Sequence, residues 1–135
     1  MKRGALAAGI GLLLCGLTAH AHHAISSYYD SSRPVTVQGV ITQFRFVNPH
    51  PFVEMDVRDA KGTAQPWKLE MDNRSELAGV GMTSETLKPG DRIVVSGSLA
   101  RNEAQSLYIR RLERPADGFT YEQVGNSPRV TRRSR

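Results

Sequence analysis

Cysteine is almost absent from this chain of 135 residues, which contains only Cys15. A disulfide network is therefore excluded, and the stability of the folded region has to come from an apolar core. Long apolar runs are also missing, because the longest, from Ala5 to Leu17, is shorter than the ~20 residues of a membrane-spanning helix. Nucleophile elbows and phosphate-binding loops are lacking as well. The sequence therefore predicts one domain without a catalytic centre.

The first residues have the pattern of a secretory signal peptide. Lys2 and Arg3 precede the apolar run, and the small side chains of Ala19 and Ala21 form a cleavage site after Ala21. We therefore predict that residues 1–21 are removed on export. The mature chain would then contain neither a cysteine nor a transmembrane span.

The formal net charge of +5 comes from the two ends of the chain. Residues 22–128 contain 12 Lys and Arg against 13 Asp and Glu, a balance that disfavours nucleic acid as a partner. Trp67, Phe44 and Phe46 are predicted to belong to the core rather than to a base-stacking surface. Residues 115–135 follow neither hydrophobic period and carry the remaining arginines. They are predicted to form a flexible basic tail that contacts anionic surfaces weakly.

Alternation of apolar and polar side chains predicts five strands between residues 35 and 114, after an extended lead-in at residues 22–34. The predicted strands are Val35–Val47, Phe52–Arg58, Gln65–Met71, Arg92–Ala100 and Ser106–Glu113. Asn73 and Glu76 resemble a capping box and predict a short helix between strands three and four. Glycines within strands one and four are typical of bends. We therefore predict a mainly β fold, a small five-stranded OB-like barrel with one short helix.

Two predicted loops flank the usual ligand face of such a barrel. They are Asn48–Pro51, after strand one, and Arg101–Gln105, after strand four. Prolines on both sides of His50 restrict the backbone of the first loop. We predict that four residues of these loops bind a ligand: Asn48, His50, Arg101 and Asn102. The alternative is that His50 only caps the strand ends through a hydrogen bond from its ring.

Paired carboxylates for acid–base catalysis are not predicted in this chain. Glu54, Asp56 and Glu70 occupy outward positions of strands two and three. Lys68 and Arg58 lie on the same predicted faces, so cross-strand charge pairs in solvent account for these carboxylates. The protein is accordingly expected not to be an enzyme.

The histidines suggest a second type of site. Cleavage after Ala21 would make His22 the N-terminal residue, whose α-amine and imidazole can chelate copper or zinc. A second imidazole could come from His23 or from His50. The alternative is that His22 and His23 belong to a polar, flexible terminus without a bound metal.

The chain resembles a family of small secreted bacterial proteins known only as a domain of unknown function. The resemblance spans about Ala21 to Leu112, and its motifs are His22-His23, Asn48-Pro49-His50, Trp67 and Lys88-Pro89-Gly90-Asp91. It implies an exported small β domain, typical of Gram-negative bacteria and hence periplasmic. Because no activity is established for the family, no catalytic residue can be assigned from it. We expect a non-catalytic binding module for a small ligand or a periplasmic partner protein, or alternatively a copper- or zinc-binding protein.

Overall fold

A computed structural model of the chain describes residues 25–133. The predicted signal peptide, His22 and His23 lie outside the described residues. Residues 25–28 are helical. The elements that follow are β1 (Tyr29–Arg45), β2 (Phe52–Arg58), β3 (Ala64–Glu70), α1 (Arg74–Gly79), β4 (Arg92–Ala100), β5 (Ser106–Arg114), β6 (Phe119–Val124) and β7 (Ser127–Thr131).

The strands form one sheet in the order β3-β2-β1-β4-β5-β6-β7. The long β1 pairs with β4 through residues up to Val40 and with β2 from Gly39 onward, so a single strand serves two neighbours. A parallel pairing of β3 with β5, in which Leu69 lies opposite Leu107, closes the first five strands into a ring. The prediction of a mainly β protein is confirmed. The helix lies in the chain between β3 and β4, as predicted.

The core fills the inside of this ring. Alternate residues of β2 and β3 point into it, including Val53, Met55 and Leu69, all of which are fully buried. Leu77 of α1 closes one side of the core. The Asn73 side chain caps α1 by accepting a hydrogen bond from the Ser75 N–H at 2.9 Å. Trp67 packs against the core but stays partly exposed.

The prediction of a flexible tail from residue 115 was wrong for residues 119–131. These residues form β6 and β7, which extend the sheet beyond β5 as a hairpin. Phe119 and Tyr121 of β6 are completely buried in the core. Only two apolar residues alternate in β6, too few to stand out in a polar segment. The turns before and after β6 use Gly118 and Gly125 at positive φ, which glycine adopts readily.

The predicted lead-in at residues 22–34 also needs correction. Its described part begins with a helical turn, and β1 starts at Tyr29, six residues before the predicted strand. Tyr29 pairs with Ala100 of β4, and the register shifts between Asp30 and Pro34. The segment is therefore part of the sheet, because the buried Tyr29 ring packs against Tyr108 and Ala100.

Candidate ligand-binding cleft

The corner after β1 and the loop after β4 meet at one cleft of about 330 Å³. His50 comes from the corner, which contains a cis Asn48–Pro49 peptide, and Glu103 comes from the loop. The cleft is lined by Ile25, Tyr28, Tyr29, His50, Lys68, Glu70, Glu103 and Ser106. Its volume lies at the lower end of the range for small-molecule sites. The two predicted loops therefore do share one face of the molecule.

A hydrogen-bonded chain of three side chains forms the floor of this cleft. His50 Nδ1 lies 2.7 Å from Glu70 Oε1, and the Tyr29 hydroxyl donates to Glu70 Oε2 at 2.5 Å. Because an ionised carboxylate only accepts hydrogen bonds, Nδ1 of His50 must carry a proton. Glu70 was predicted to face solvent at an outward position of its strand. Instead it joins the corner, β1 and β3.

This network shifts the pKa of each of its members. The hydrogen bond to Glu70 raises the pKa of His50, although burial acts in the opposite direction. Burial acts to raise the pKa of Glu70, but the hydrogen bonds from His50 and Tyr29 outweigh it and lower the pKa. Burial and the bond to Glu70 raise the pKa of Tyr29 far above its usual range. At neutral pH Glu70 is thus ionised and Tyr29 is protonated.

Ser106 adds a polar group that the fold leaves unused. The residue is 1% exposed, lines the cleft, and stands opposite Lys68 where β3 and β5 pair. Its hydroxyl lies close enough to Tyr29 to act slightly against the rise of the Tyr29 pKa. Its oxygen nevertheless has no hydrogen-bond partner of ordinary geometry among residues 25–133. Native proteins rarely leave a buried polar group unpaired, so a ligand or a water is expected at this oxygen.

The N-terminal segment forms the outer wall of the cleft. The Tyr28 hydroxyl donates to Glu103, and the backbone N–H of Arg101 donates to the Tyr28 carbonyl at 2.9 Å. Arg101 also forms an ion pair with Asp30, with an N–O distance of 3.3 Å. These contacts tie the segment to the loop after β4. The side chain of Tyr28 remains 45% exposed, so one part of its ring faces solvent.

Of the four residues predicted to bind a ligand, one lines the cleft and three do not. His50 lines the cleft, whereas Asn48, Arg101 and Asn102 are exposed and do not belong to its lining. Arg101 is engaged by Asp30 and so holds the N-terminal wall rather than the cleft interior. Glu103 belongs to the predicted Arg101–Gln105 loop but was not named as a ligand-binding residue. The lining residues that the sequence did not suggest are Ile25, Tyr28, Tyr29, Lys68, Glu70 and Ser106. The adjacent tyrosines just before the first strand were the available signal for two of them.

A second cleft of about 340 Å³ lies on the far side of Lys68 and Glu103, which line both. Its other lining residues include Glu54, Trp67 and Gln105. The two clefts are therefore neighbouring parts of one groove across β3 and the loop after β4. The groove is open at Trp67, which is only partly buried.

Within residues 25–133, no three side chains of the histidine, cysteine or carboxylate types are gathered in one place. Of the predicted ligands, His50 is described and offers its Nε2, because Nδ1 is engaged by Glu70. His22 and His23 lie outside the described residues. In the described part of the chain, no helix is long and apolar enough to cross a membrane.

Most of the chain matches a known protein family. Residues 11–108 match a family of unknown function, DUF6152. The chain belongs to this family. The DUF6152 match includes β1 to β4 and reaches Tyr108 in β5, so it contains every residue that lines the first cleft. The β6–β7 hairpin lies beyond the matched region.

Comparisons with individual proteins add little to the DUF6152 assignment. No curated protein matches the chain. A structure of a TiaS mutant lacking its ZRD, in complex with agmatine, is 17% identical over 69% of this chain and 26% of its own, with a TM-score of 0.48. A complex of TiaS with a transfer RNA and ATP is 14% identical over 79% of this chain and 30% of its own, with a TM-score of 0.45. The chain thus spans less than a third of these proteins, and likenesses this weak carry no argument.

Proposed function

We propose that this DUF6152 protein is an exported, non-catalytic binding module of the periplasm that holds a small polar ligand in the first cleft. The observation that carries the proposal is the buried Ser106 hydroxyl, which lines a cleft and has no hydrogen-bond partner of ordinary geometry among the described residues. A buried hydroxyl without a hydrogen bond destabilises a fold by about 1–3 kcal/mol. A bound ligand that pairs with it would remove this cost.

The rest of the cleft supports a binding role. His50, Glu70 and Tyr29 hold one another in fixed positions, so their remaining polar atoms are preorganised towards a ligand. The N-terminal segment and the loop after β4 enclose the cleft from outside. Catalysis is not part of the proposal.

A titration series of three four-carbon compounds tests this proposal. Putrescine, succinate and 1,4-butanediol have the same length but carry cationic, anionic and neutral ends. We expect at least one of them to shift the amide signals of Tyr29, Glu70 and Ser106 in heteronuclear NMR spectra of the exported chain. Shifts confined to other surfaces, or none with all three compounds, would contradict the proposal.

A Ser106→Ala variant separates binding from folding. Replacing an unpartnered hydroxyl should leave the free energy of unfolding unchanged or slightly higher. Binding of the compound that shifts the cleft signals should weaken about tenfold, the effect of losing one hydrogen bond to a charged or polar group. Ser84→Ala, at an exposed position, is the matched control and should change neither quantity. Equal affinity in wild type and Ser106→Ala would remove Ser106 from the site.

We also propose, as a second candidate, a copper or zinc site formed by His22 and His50. Ile25 lines the same cleft as His50 and lies three positions after His22 in the chain. Such a length reaches at most about 10 Å, so an N-terminal His22 would be tethered near the mouth of the cleft. Glu70 orients the His50 ring through Nδ1, as carboxylates do for metal-ligating imidazoles.

Titration of Cu(II) into the exported protein tests this second candidate, after mass spectrometry has identified its N-terminus. We expect His22→Ala and His50→Gln each to weaken binding at least tenfold, while a variant at exposed Asn102 leaves it unchanged. If His23→Ala weakens Cu(II) binding and His50→Gln does not, His23 supplies the second imidazole. Affinity should fall as the pH is lowered through the raised pKa of His50, because the metal binds neutral imidazole. Cleavage elsewhere than after Ala21 would rule the site out.

A further inference from the structure

We propose that the ligand is a linear organic polyamine, which lies along the groove and places one ammonium group in each cleft. This inference rests on the proposed binding function and adds the chemical class of the ligand. Three kinds of observation support it: the charges of the groove, its aromatic side chains and the free hydroxyl of Ser106.

The groove carries more negative than positive charge. Three carboxylates line it, Glu54, Glu70 and Glu103, whereas Lys68 is its one permanent cation among the described lining residues. Protonated His50 would be balanced by Glu70 at 2.7 Å. Glu54 and Glu103 have no ion-pair partner within residues 25–133, and Glu103 accepts a hydrogen bond from the Tyr28 hydroxyl. Two carboxylates without an ion-pair partner favour a ligand with more than one positive charge.

Lys68 forms no ion pair with Glu54 or Glu103 within residues 25–133. Its Nζ lies 4.8 Å from the centroid of the Phe52 ring, and this cation–π contact draws the ammonium group towards the ring. Glu54 is opposite Lys68 in the β2–β3 register, yet the two do not form an ion pair within 4 Å. The charges of Glu54 and Glu103 therefore remain available to a cationic ligand.

Each of the two clefts is lined by a partly exposed aromatic ring. Tyr28 lines the first cleft with a half-exposed ring, and Trp67 lines the second. Organic cations bind over the faces of tyrosine and tryptophan rings, most strongly over tryptophan. An ammonium group in the first cleft would also donate a hydrogen bond to Ser106 Oγ, which needs a donor or an acceptor. An anionic ligand would instead be repelled by the carboxylates.

Calorimetric titration of the exported chain with putrescine and spermidine tests the inference. Both probes should bind, and the triamine spermidine should bind at least tenfold more tightly than putrescine, because its third ammonium group adds a further contact with the carboxylates of the groove. The compound 1,4-butanediol, which lacks charge, should not bind measurably. Trp67 is the single tryptophan of the chain, so its fluorescence reports on the second cleft alone. Spermidine should change this fluorescence, and putrescine should change it less.

Two charge-neutralising variants locate the ammonium groups. Glu103→Gln should weaken both amines about tenfold, since this carboxylate borders both clefts. Glu54→Gln should weaken spermidine but not putrescine. Glu85→Gln, at an exposed carboxylate that lines neither cleft, is the matched control and should have no effect.

The outcomes distinguish this inference from the proposed function. If succinate or 1,4-butanediol shifts the cleft signals while neither amine binds, the polyamine assignment is overturned and the binding module stands. If the amines bind with equal affinity to wild type, Glu54→Gln and Glu103→Gln, their binding is non-specific and the assignment is again overturned. If no compound reaches the cleft, both proposals fall.

Discussion

Replacing Phe119 by alanine should lower the free energy of unfolding by about 3–5 kcal/mol. Phe119 is completely buried at the start of β6 and packs in the main core with the residues of the ring. Its removal would leave a cavity that the closed sheet cannot collapse to fill. A domain of this size has a total stability of about 5–15 kcal/mol, so the variant would lose a large part of it. Denaturant unfolding followed by circular dichroism measures the change.

The control for this prediction lies in the same strand. Val124→Ala removes apolar atoms at a side chain that is 45% exposed, and it should change stability by less than about 0.5 kcal/mol. Equal and small effects of the two substitutions would mean that β6 is not packed on the core. The β6–β7 hairpin would then be the loosely attached tail that the sequence suggests.

Replacing Gly97 by alanine should lower the free energy of unfolding by about 3 kcal/mol or more. The reason is that the backbone of the neighbouring strand β5 comes very close to this residue of β4. A Cβ atom there would overlap the carbonyl oxygen of Tyr108 and lie 2.9 Å from its carbonyl carbon. Both atoms belong to the backbone of the central β4–β5 pair, so neither can move without breaking the ladder. Thermal unfolding should show a decrease in Tm of about 10 °C or more, on the scale of about 4–8 °C per kcal/mol for small domains.

Gly79→Ala provides the contrast for Gly97→Ala. Gly79 ends α1, and nothing lies within 4 Å of the position that a Cβ atom would occupy. This substitution should leave stability unchanged or raise it by up to about 1 kcal/mol, since alanine favours helix more than glycine does. A Tm for Gly97→Ala within about 2–3 °C of the wild type would contradict the close approach of β5 to β4.

Much of the ring could be predicted from the sequence because each strand has one face in the core. Val53 and Met55 alternate with Glu54 in β2, and this period of two is enough to identify a half-buried strand. The same reasoning failed for β6, where Phe119 and Tyr121 are the only apolar side chains directed inwards. Such a short pattern does not differ from chance in a polar segment.

The site was less accessible to sequence reasoning than the strands. His50 could be selected because two prolines frame it, and it does line the cleft. Its partner Glu70 could not, because an outward position in a strand normally means a solvated charge. The Tyr29–Glu70 contact joins residues 41 positions apart, and the Tyr28–Glu103 contact joins residues 75 positions apart. Local patterns contain no information on contacts of this kind.

Hydrophobic period and proline geometry act locally, so the mainly β class, the main strands and the corner that carries His50 could be predicted from the residues alone. The surroundings of that imidazole depend on contacts between distant parts of the folded chain. Closure of the ring through β3 and β5 brings Glu70 and Ser106 beside it, and the start of β1 brings Tyr29. Whether Ser106 has a partner depends on atoms from separate strands, so its free hydroxyl could be seen only after folding.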